Sequence, residues 1–371
     1  MIIRPVLAAA VALALLAACQ TPEAEAPASP AEAAPAASEA AAPAASAWTT
    51  IAPGGDTLCA TGTPFTFHVR EGDASRVMIF LNGGGACWSG DLCDLNTEPA
   101  PYTPFAEMDS NDPATKGGVF DAANPENPFA GWTQVFVSYC TGDAHLGARD
   151  VDYPTSAGGT ATIHHRGKAN VQSALDWVYA HAPAPQRVFV GGGSAGAIAS
   201  PYYAGIVADH YPQAEVVQYG GGAGGYRTPA VSGLLETWGT FDSLPDWPAF
   251  AALDTSKATI EDFFRVTAAR HPEMRMAQFN NVDDGVQQQF LMLLGTMAPM
   301  RGLLHDNLAE LSADLPHFRS YSAPGTDHTL VRFDRLYTTE VGGVRAVDWI
   351  RDLAEGRDVA TVSCETDSSC D

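Results

Sequence analysis

The chain has 371 residues, of which 46% are hydrophobic and 17% charged, and this composition excludes a fully disordered protein, a collagen and a long coiled coil. Acidic residues outnumber basic residues by 43 to 20, which gives a formal net charge of −23 at pH 7. A field of this sign repels nucleic acids and anionic lipid headgroups, and it therefore argues against a protein that binds either of them.

The first 19 residues are predicted to be a lipoprotein signal peptide. A short segment containing Arg4 precedes an apolar run from Val6 to Ala18, which is too short to span a membrane but has the length of a signal-peptide core. The run ends in Leu16-Ala-Ala-Cys19, which resembles a lipobox, whose cysteine is lipidated. Residue 20 is Gln and not the Asp that retains lipoproteins in the inner membrane. We therefore expect an outer-membrane lipoprotein, whose domain lies on either the periplasmic or the outer face of that membrane. An ordinary cleavage site is the alternative.

Residues 20–47 consist almost entirely of Ala, Pro, Glu and Ser. Proline interrupts any helix that alanine favours, and the segment has no apolar face to bury. We therefore predict a disordered tether between a lipid anchor at Cys19 and an exported domain over residues 48–371. This domain keeps an excess of acid, with 19 basic and 39 acidic residues.

Apolar runs that end in glycine or polar residues predict buried strands along the domain. The predicted strands are 77–81, 135–139, 187–190, 215–219, 274–279 and 318–321. Helical spacing predicts helices over residues 170–181 and from 195 to about 211. The alternation predicts an α/β fold with a mostly parallel sheet, whose functional residues gather at the carboxyl ends of the strands. An aromatic-rich stretch, 234–264, interrupts the alternation and predicts a partly helical lid.

The seven cysteines predict disulfide bonds. Setting aside Cys19 leaves an even number, as is typical of an exported and oxidised protein. Their positions favour the pairs Cys87–Cys93, Cys364–Cys370 and Cys59–Cys140, although the sequence alone fixes no connectivity. A metal site is the alternative, but no Cys-x2-Cys pair with a matching His-x3-His occurs.

The pentapeptide Gly192-Gly-Ser194-Ala-Gly196 fits the G-x-S-x-G pattern of a nucleophile elbow. In such a turn a strand runs into the serine and a helix leaves it, so that the hydroxyl stands clear of the sheet. The predicted strand 187–190 and the helix from residue 195 supply this context. A phosphate-binding glycine loop is the alternative, but the lysine of a Walker loop is missing.

A serine nucleophile needs a base that takes its proton and an acid that orients the base. His328 lies in a loop after a predicted strand, near the end of the domain, where the base of an α/β-hydrolase belongs. Asp283 and Asp284 follow the predicted strand 274–279, so each is a candidate for the acid.

A glycine loop after the first predicted strand is a candidate oxyanion hole. Asn82-Gly-Gly-Gly85 resembles the HGGG-type loop that supplies backbone N–H groups to a developing negative charge. The N–H of Ala195, directly after the serine, would supply another donor. A simple glycine turn is the alternative.

Taken together, these segments resemble the pectinacetylesterase family, which includes the animal deacylase Notum. The matching segments are Leu81–Trp88, Tyr139–His145, His164–Asn170, Gly192–Gly196, Asp327–Leu330 and Tyr337–Arg345. The resemblance covers roughly residues 50–360. It implies an α/β-hydrolase-like core and a serine hydrolase of O-acyl esters.

The resemblance also implies roles for single residues. The family's Ser and His fall on Ser194 and His328, and its Asp-x-x-Gln pattern falls on Asp284-Gly-Val-Gln287, which favours Asp284 over Asp283. The implied oxyanion donors are Gly84, Gly85 and Ala195. The residues implied to lie in loops that flank the site are Trp88 and His145. The chain departs from many relatives at the acyl and alcohol pockets, since Asn82 replaces a Glu and the segment 219–225 lacks an Asp.

The leading prediction is a carboxylic-ester hydrolase that removes acetyl or another short acyl group from a carbohydrate, without a metal or organic cofactor. A lipid or longer-acyl O-deacylase is one alternative, and a non-catalytic glycan-binding lipoprotein is another. The complete set of Ser194, Asp284 and His328 argues against a decayed enzyme. The acidic charge argues against polygalacturonate as the glycan unless an Arg cluster offsets the repulsion.

Overall fold

The computed structural model describes residues 47–96 and 100–364. The strands are β1 (Thr49–Ile51), β2 (Phe67–Arg70), β3 (Asp73–Leu81), β4 (Trp132–Val137), β5 (Arg149–Pro154), β6 (Thr160–His165), β7 (Arg187–Gly193), β8 (Glu215–Gly221), β9 (Arg275–Asn281), β10 (Phe318–Ala323), β11 (Glu340–Val341), β12 (Val344–Arg345) and β13 (Val362–Ser363). The helices are α1 (Gly90–Cys93), α2 (Gly167–His181), α3 (Ala195–His210), α4 (Ala230–Thr237), α5 (Pro248–Ala251), α6 (Ile260–Arg270), α7 (Gly285–Leu293), α8 (Met300–Asp314) and α9 (Ala346–Ala354).

Nine of the described strands form one sheet in the order β1-β2-β4-β3-β7-β8-β9-β10-β13. In this order, every neighbouring pair from β4 to β13 is parallel, whereas β1 pairs with β2, and β2 with β4, in antiparallel fashion at one edge. The pairs β5–β6 and β11–β12 are separate antiparallel hairpins. This architecture confirms the predicted α/β fold, with a mostly parallel central sheet and flanking helices.

The sheet is buried on both faces, as alternate residues of β3 show. Val77, Ile79 and Leu81 belong to a core layer that contains apolar residues of α2 and α3. Met78 and Phe80 belong to a second layer, which contains apolar residues of α9. Because side chains alternate along a strand, two such layers require helices on opposite faces.

The six strands and two helices predicted from apolar patterns all occur, with different bounds. The strand predicted over 187–190 continues to Gly193, because Gly192 pairs with Leu81 on one side and with Gly220 on the other. Two neighbouring strands thus hold a glycine run that has little strand propensity of its own. The strand predicted over 135–139 ends instead at Val137, and the N–H of Tyr139 donates to the side chain of Asn111 at 2.8 Å.

The aromatic-rich stretch 234–264 is only partly a lid. It contains helices, as predicted, and its early residues, including Trp238, border a cavity near Ser194. Its later aromatic rings pack against α3 instead, since Phe250 and Phe263 both contact Tyr202 edge-on. This part of the stretch belongs to the core, because packing against other apolar side chains removes the surface of its rings from water.

Two of the three predicted disulfides are confirmed. Cys59 is bonded to Cys140, and Cys87 is bonded to Cys93. Cys364 is disulfide-bonded, while its predicted partner Cys370 lies outside the described residues. Such bonds persist in oxidising compartments and support export.

The predicted signal peptide, the lipidation site Cys19 and nearly all of the predicted tether lie outside the described residues. They stay predictions. In the described part of the chain, no helix combines the length and the apolar character that a membrane span needs.

Candidate active site

Ser194 lies at the sharp turn between β7 and α3, as the elbow pattern predicts. Its backbone has φ 54° and ψ −120°, a conformation that residues other than glycine rarely adopt. The N–H of Ser194 donates to the carbonyl of Gly221 at 2.8 Å, which ties the turn to the end of β8. The strain is therefore maintained by the sheet, and it presents the side chain above the carboxyl edge of the strands.

Asp284 is completely buried at the N-terminus of α7. One carboxylate oxygen, Oδ1, accepts from the backbone N–H groups of Val286 and Gln287, both at 3.0 Å. The other, Oδ2, accepts from Nε2 of Gln287 at 2.9 Å and from Nδ1 of His328 at 2.6 Å. Four donors and the helix N-terminus compensate the cost of burying this carboxylate.

His328 is oriented by its contact with Asp284. Because a carboxylate only accepts, Nδ1 of the imidazole carries the proton and Nε2 is left as the acceptor. Nε2 is buried and has no hydrogen-bond partner among the described residues. The loop is held by Arg335, whose Nη2 donates to the carbonyls of His328 and Thr329 at 2.8 and 2.5 Å.

The imidazole of His328 lies beside the nucleophile turn. A Cβ atom placed on Gly222 would lie 3.1 Å from Cε1 of His328, and the preceding Gly221 accepts the N–H of Ser194. On the other side of the turn, a Cβ atom on Gly193 would lie 3.6 Å from a methyl carbon of Thr329. The structure thus places the pair of His328 and Asp284 next to the turn that carries Ser194, at the carboxyl edge of the sheet.

Asp283 has different surroundings, although it adjoins Asp284. Its two oxygens accept from Nε and Nη2 of Arg301 at 3.0 and 2.5 Å, and the side chain is exposed. Hydrogen bonding to Arg301 is the main reason that the pKa of Asp283 lies below its ordinary value. Asp283 makes no contact with His328 among the described interactions, so the geometry favours Asp284 as the orienting acid.

The glycine loop that follows β3 packs directly against the nucleophile turn. A Cβ atom on Gly83 would lie 2.6 Å from the carbonyl oxygen of Gly193 and 2.7 Å from Cβ of Ser194, so only glycine fits there. Gly85 has a φ of +75°, which also favours glycine. Within the described part of the chain, the N–H groups of the three predicted oxyanion donors, Gly84, Gly85 and Ala195, donate no hydrogen bond to another residue.

Hydrogen bonds of Asn82 hold this glycine loop in place. Its side-chain N–H groups donate to the carbonyl of Ser110 at 2.8 Å and to Oδ1 of Asn111 at 2.9 Å. Its Oδ1 accepts from Nη1 of Arg332 at 2.9 Å, and its backbone carbonyl accepts from Nε2 of His145 at 2.8 Å. Burial lowers the pKa of His145, which favours a neutral imidazole. His145 therefore supports the loop rather than lining the cavity.

An apolar pocket opens beside Ser194. Its volume is about 50 Å³, so the pocket is a narrow slot. Its larger lining side chains include those of Trp88, Ile198, Tyr226, Leu235, Trp238 and Phe290. A surface dominated by these side chains offers few hydrogen-bond partners to a sugar hydroxyl, and it suits a hydrocarbon chain.

The Cys87–Cys93 disulfide holds the wall of this pocket. The N–H of Cys87 donates to the carbonyl of Gly142, and the carbonyl of Cys87 accepts from Nε1 of Trp238, both at 2.9 Å. The bond thus fixes the chain just beyond Gly85 and couples it to an aromatic residue that lines the pocket.

The site contains three residues whose roles the sequence analysis does not predict. Asn82 is predicted as the first residue of the glycine loop and as a departure from relatives, but not as the anchor of the loop, although a polar residue at the end of a buried strand indicates hydrogen bonding. Arg335 and Tyr226 carry no local signal, because their roles depend on segments that are distant in the chain.

Residues 45–229 match the family model described as Pectinacetylesterase, and the match includes the nucleophile turn and the glycine loop. The chain belongs to the pectinacetylesterase family. Asp284 and His328 lie beyond the matched residues, so their placement in the site rests on the geometry above.

Two zebrafish (Danio rerio) proteins are similar to this family member over a shorter stretch. The first, named inactive palmitoleoyl-protein carboxylesterase notum1b, is 33% identical over 96 residues, which cover 24% of this chain and 66% of the relative. The second, named palmitoleoyl-protein carboxylesterase notum1a, is 35% identical over 97 residues, which cover 24% of this chain and 18% of the relative. The matches thus span less than two thirds of either relative's length.

Proposed function

We propose that the protein is a serine carboxylic-ester hydrolase that acts through an acyl-enzyme on Ser194. The observation that carries the proposal is the 2.6 Å hydrogen bond from Nδ1 of His328 to the buried carboxylate of Asp284, next to a strained serine turn. Membership of the pectinacetylesterase family and similarity to a named carboxylesterase support the same chemistry. That one relative is named inactive makes a direct measurement necessary.

In the first half of the reaction, Nε2 of His328 takes the proton of the Ser194 hydroxyl while Oγ attacks the ester carbonyl. The N–H groups of Gly84, Gly85 and Ala195 stabilise the oxyanion of the tetrahedral intermediate. The intermediate collapses, the C–O bond to the alcohol breaks, and the leaving oxygen receives the proton from the imidazolium. Asp284 stabilises the imidazolium through Nδ1.

In the second half, a water molecule loses a proton to Nε2 of His328 and attacks the acyl-enzyme carbonyl. The same N–H groups stabilise the second oxyanion. The ester bond to Ser194 then breaks, Oγ recovers its proton from the imidazolium, and the carboxylic acid leaves. No group outside the chain and the water molecule is required for this balance.

The proposed substrate is an O-acylated carbohydrate carrying an acetyl or another short acyl group. The acidic charge of the domain favours a neutral glycan over a polyanionic one. A second candidate is an O-deacylase for longer acyl chains, and the observation that favours it is the apolar lining of the slot beside Ser194. We further propose that the domain is exported and anchored through Cys19, with the disulfides supporting export.

The test is hydrolysis of p-nitrophenyl acetate, octanoate and palmitate by the purified domain and by its Ser194→Ala variant. We expect the wild type to release p-nitrophenol and the variant to lose about 10⁴–10⁶-fold in kcat, because the reacting oxygen is gone while the turn tolerates alanine. Preference for acetate favours the short-acyl substrate, and preference for palmitate favours the second candidate. A wild-type protein inert toward all three esters contradicts the proposed function.

A further inference from the structure

A second cavity adjoins the apolar slot. Its volume is about 450 Å³, so it is much larger than the slot. Its lining includes the charged residues Arg227, Glu261 and Arg265. The two cavities therefore differ in chemistry as well as in size: the slot is lined almost entirely by apolar groups, whereas the larger cavity also carries charged side chains.

The same chain segments form walls of both cavities. On α4, Val231 and Leu235 line the slot, whereas the neighbouring Ser232 lines the second cavity. At the start of α6, Ile260 lines the slot and Glu261 lines the second cavity. The two spaces therefore adjoin along these segments. Tyr226 is the residue that lines both of them.

Hydrogen bonds hold the backbone next to Tyr226, whereas the Tyr226 side chain is not held in this way. The N–H of Gly225 donates to Oε1 of Gln287 at 2.8 Å, and Nε2 of Gln287 donates to Asp284 at 2.9 Å. The hydroxyl of Tyr226 makes no hydrogen bond to any other described residue. Burial, and to a smaller extent the charge of Asp284, raises the pKa of Tyr226, so its hydroxyl stays protonated.

We propose that Tyr226 is the end wall of the acyl slot and sets the longest acyl chain that the enzyme accepts. The proposal rests on the proposed function, because it concerns the acyl group carried by Ser194. A chain that fits within the slot is buried against apolar side chains. A longer chain has to displace the ring and extend its terminal methyl group among charged side chains, where it gains little from leaving water.

The experiment compares kcat/KM for p-nitrophenyl butyrate and p-nitrophenyl dodecanoate in the wild type and in Tyr226 variants. We expect Tyr226→Ala to raise the dodecanoate-to-butyrate ratio about tenfold, because the slot then opens into the wider cavity. Tyr226→Phe keeps the ring and should keep the wild-type ratio. Leu303→Ala enlarges the second cavity at a position that does not line the slot, and it should also leave the ratio near the wild-type value.

A folded Tyr226→Ala variant with the wild-type ratio would overturn the proposal, as would an equal increase in Leu303→Ala. If Tyr226→Ala does not fold, Tyr226→Trp decides, since a larger ring should lower the ratio and an unchanged ratio would refute the end-wall role. Thermal unfolding of each variant checks that it is folded. A wild-type protein without activity on either ester contradicts the proposed function, which distinguishes that failure from this one.

Discussion

Asp283 and Asp284 are neighbours in the chain with different electrostatic surroundings. Asp284 is fully buried and receives four hydrogen bonds, one of them from His328. Asp283 points to solvent and pairs with Arg301. The difference arises because Asp284 occupies the N-cap of α7, where its side chain turns back toward the helix and the imidazole.

We predict that Asp284→Asn lowers kcat by about 10⁴-fold. An amide presents an N–H group where the imidazole needs an acceptor, so His328 would be held in the wrong tautomer. Asp283→Asn is the matched control and should keep kcat within about threefold, because an exposed ion pair contributes little. The measurement is kcat on a p-nitrophenyl ester. Equal losses in both variants, or a larger loss at Asp283, would transfer the role of the acid.

At the scale of elements, the two disulfides hold different parts of the fold. Cys59–Cys140 closes a sequence separation of 81 residues and joins the start of the domain to the end of β4. Cys87–Cys93 closes a separation of 6 residues and holds the segment directly after the glycine loop. The first therefore restricts the unfolded chain more, and the second restricts the site more.

We predict that losing Cys59–Cys140 lowers stability more than losing Cys87–Cys93 does, and that losing Cys87–Cys93 lowers turnover more. Replacing Cys59 and Cys140 by Ser should lower the free energy of unfolding by about 4 kcal/mol, against about 2 kcal/mol for Cys87 and Cys93, because the longer loop loses more chain entropy. The Cys87/Cys93 double variant should nevertheless show the larger loss of kcat. Urea unfolding and ester hydrolysis give the two quantities. Free thiols at Cys87 and Cys93 in fully active protein would refute this assignment.

At the scale of the whole molecule, buried histidines link stability to pH. His145 and His165 are almost inaccessible to solvent, and burial lowers the pKa of each in the folded state. Below the ordinary histidine pKa of about 6.5, the unfolded chain therefore binds protons that the folded chain does not. The stability that these residues give is complete above that pH and is lost as the pH falls.

We predict that the free energy of unfolding decreases between pH 7 and pH 5, by up to about 2 kcal/mol for each of these two histidines. Urea unfolding at several pH values measures the slope. His165→Gln should make the slope shallower, because it removes one of the linked protons. His305→Gln is the matched control, since His305 is exposed on α8, and it should leave the slope unchanged. A wild-type stability that is flat over this range would contradict the prediction.

The sequence by itself determined the features that depend on residues close together in the chain. Apolar runs and helical spacing gave the parallel strands and the helices α2 and α3, because burial on both faces leaves a periodic signal in consecutive residues. Short strands at the edges, such as β1 and β13, were missed because they bury too few residues to leave such a signal. The pentapeptide around Ser194 predicted its turn for the same reason, since the elbow is built by adjacent residues.

Only the tertiary structure decided how distant segments meet. From the residues alone either Asp283 or Asp284 remained a candidate, and the hydrogen bond to His328, 44 residues away, separates them. Asn82 contacts Arg332 across 250 residues, and Tyr226 lines two cavities whose walls come from several elements. These contacts depend on how the helices pack on the sheet. Packing is set by the whole chain at once, so no local pattern encodes it.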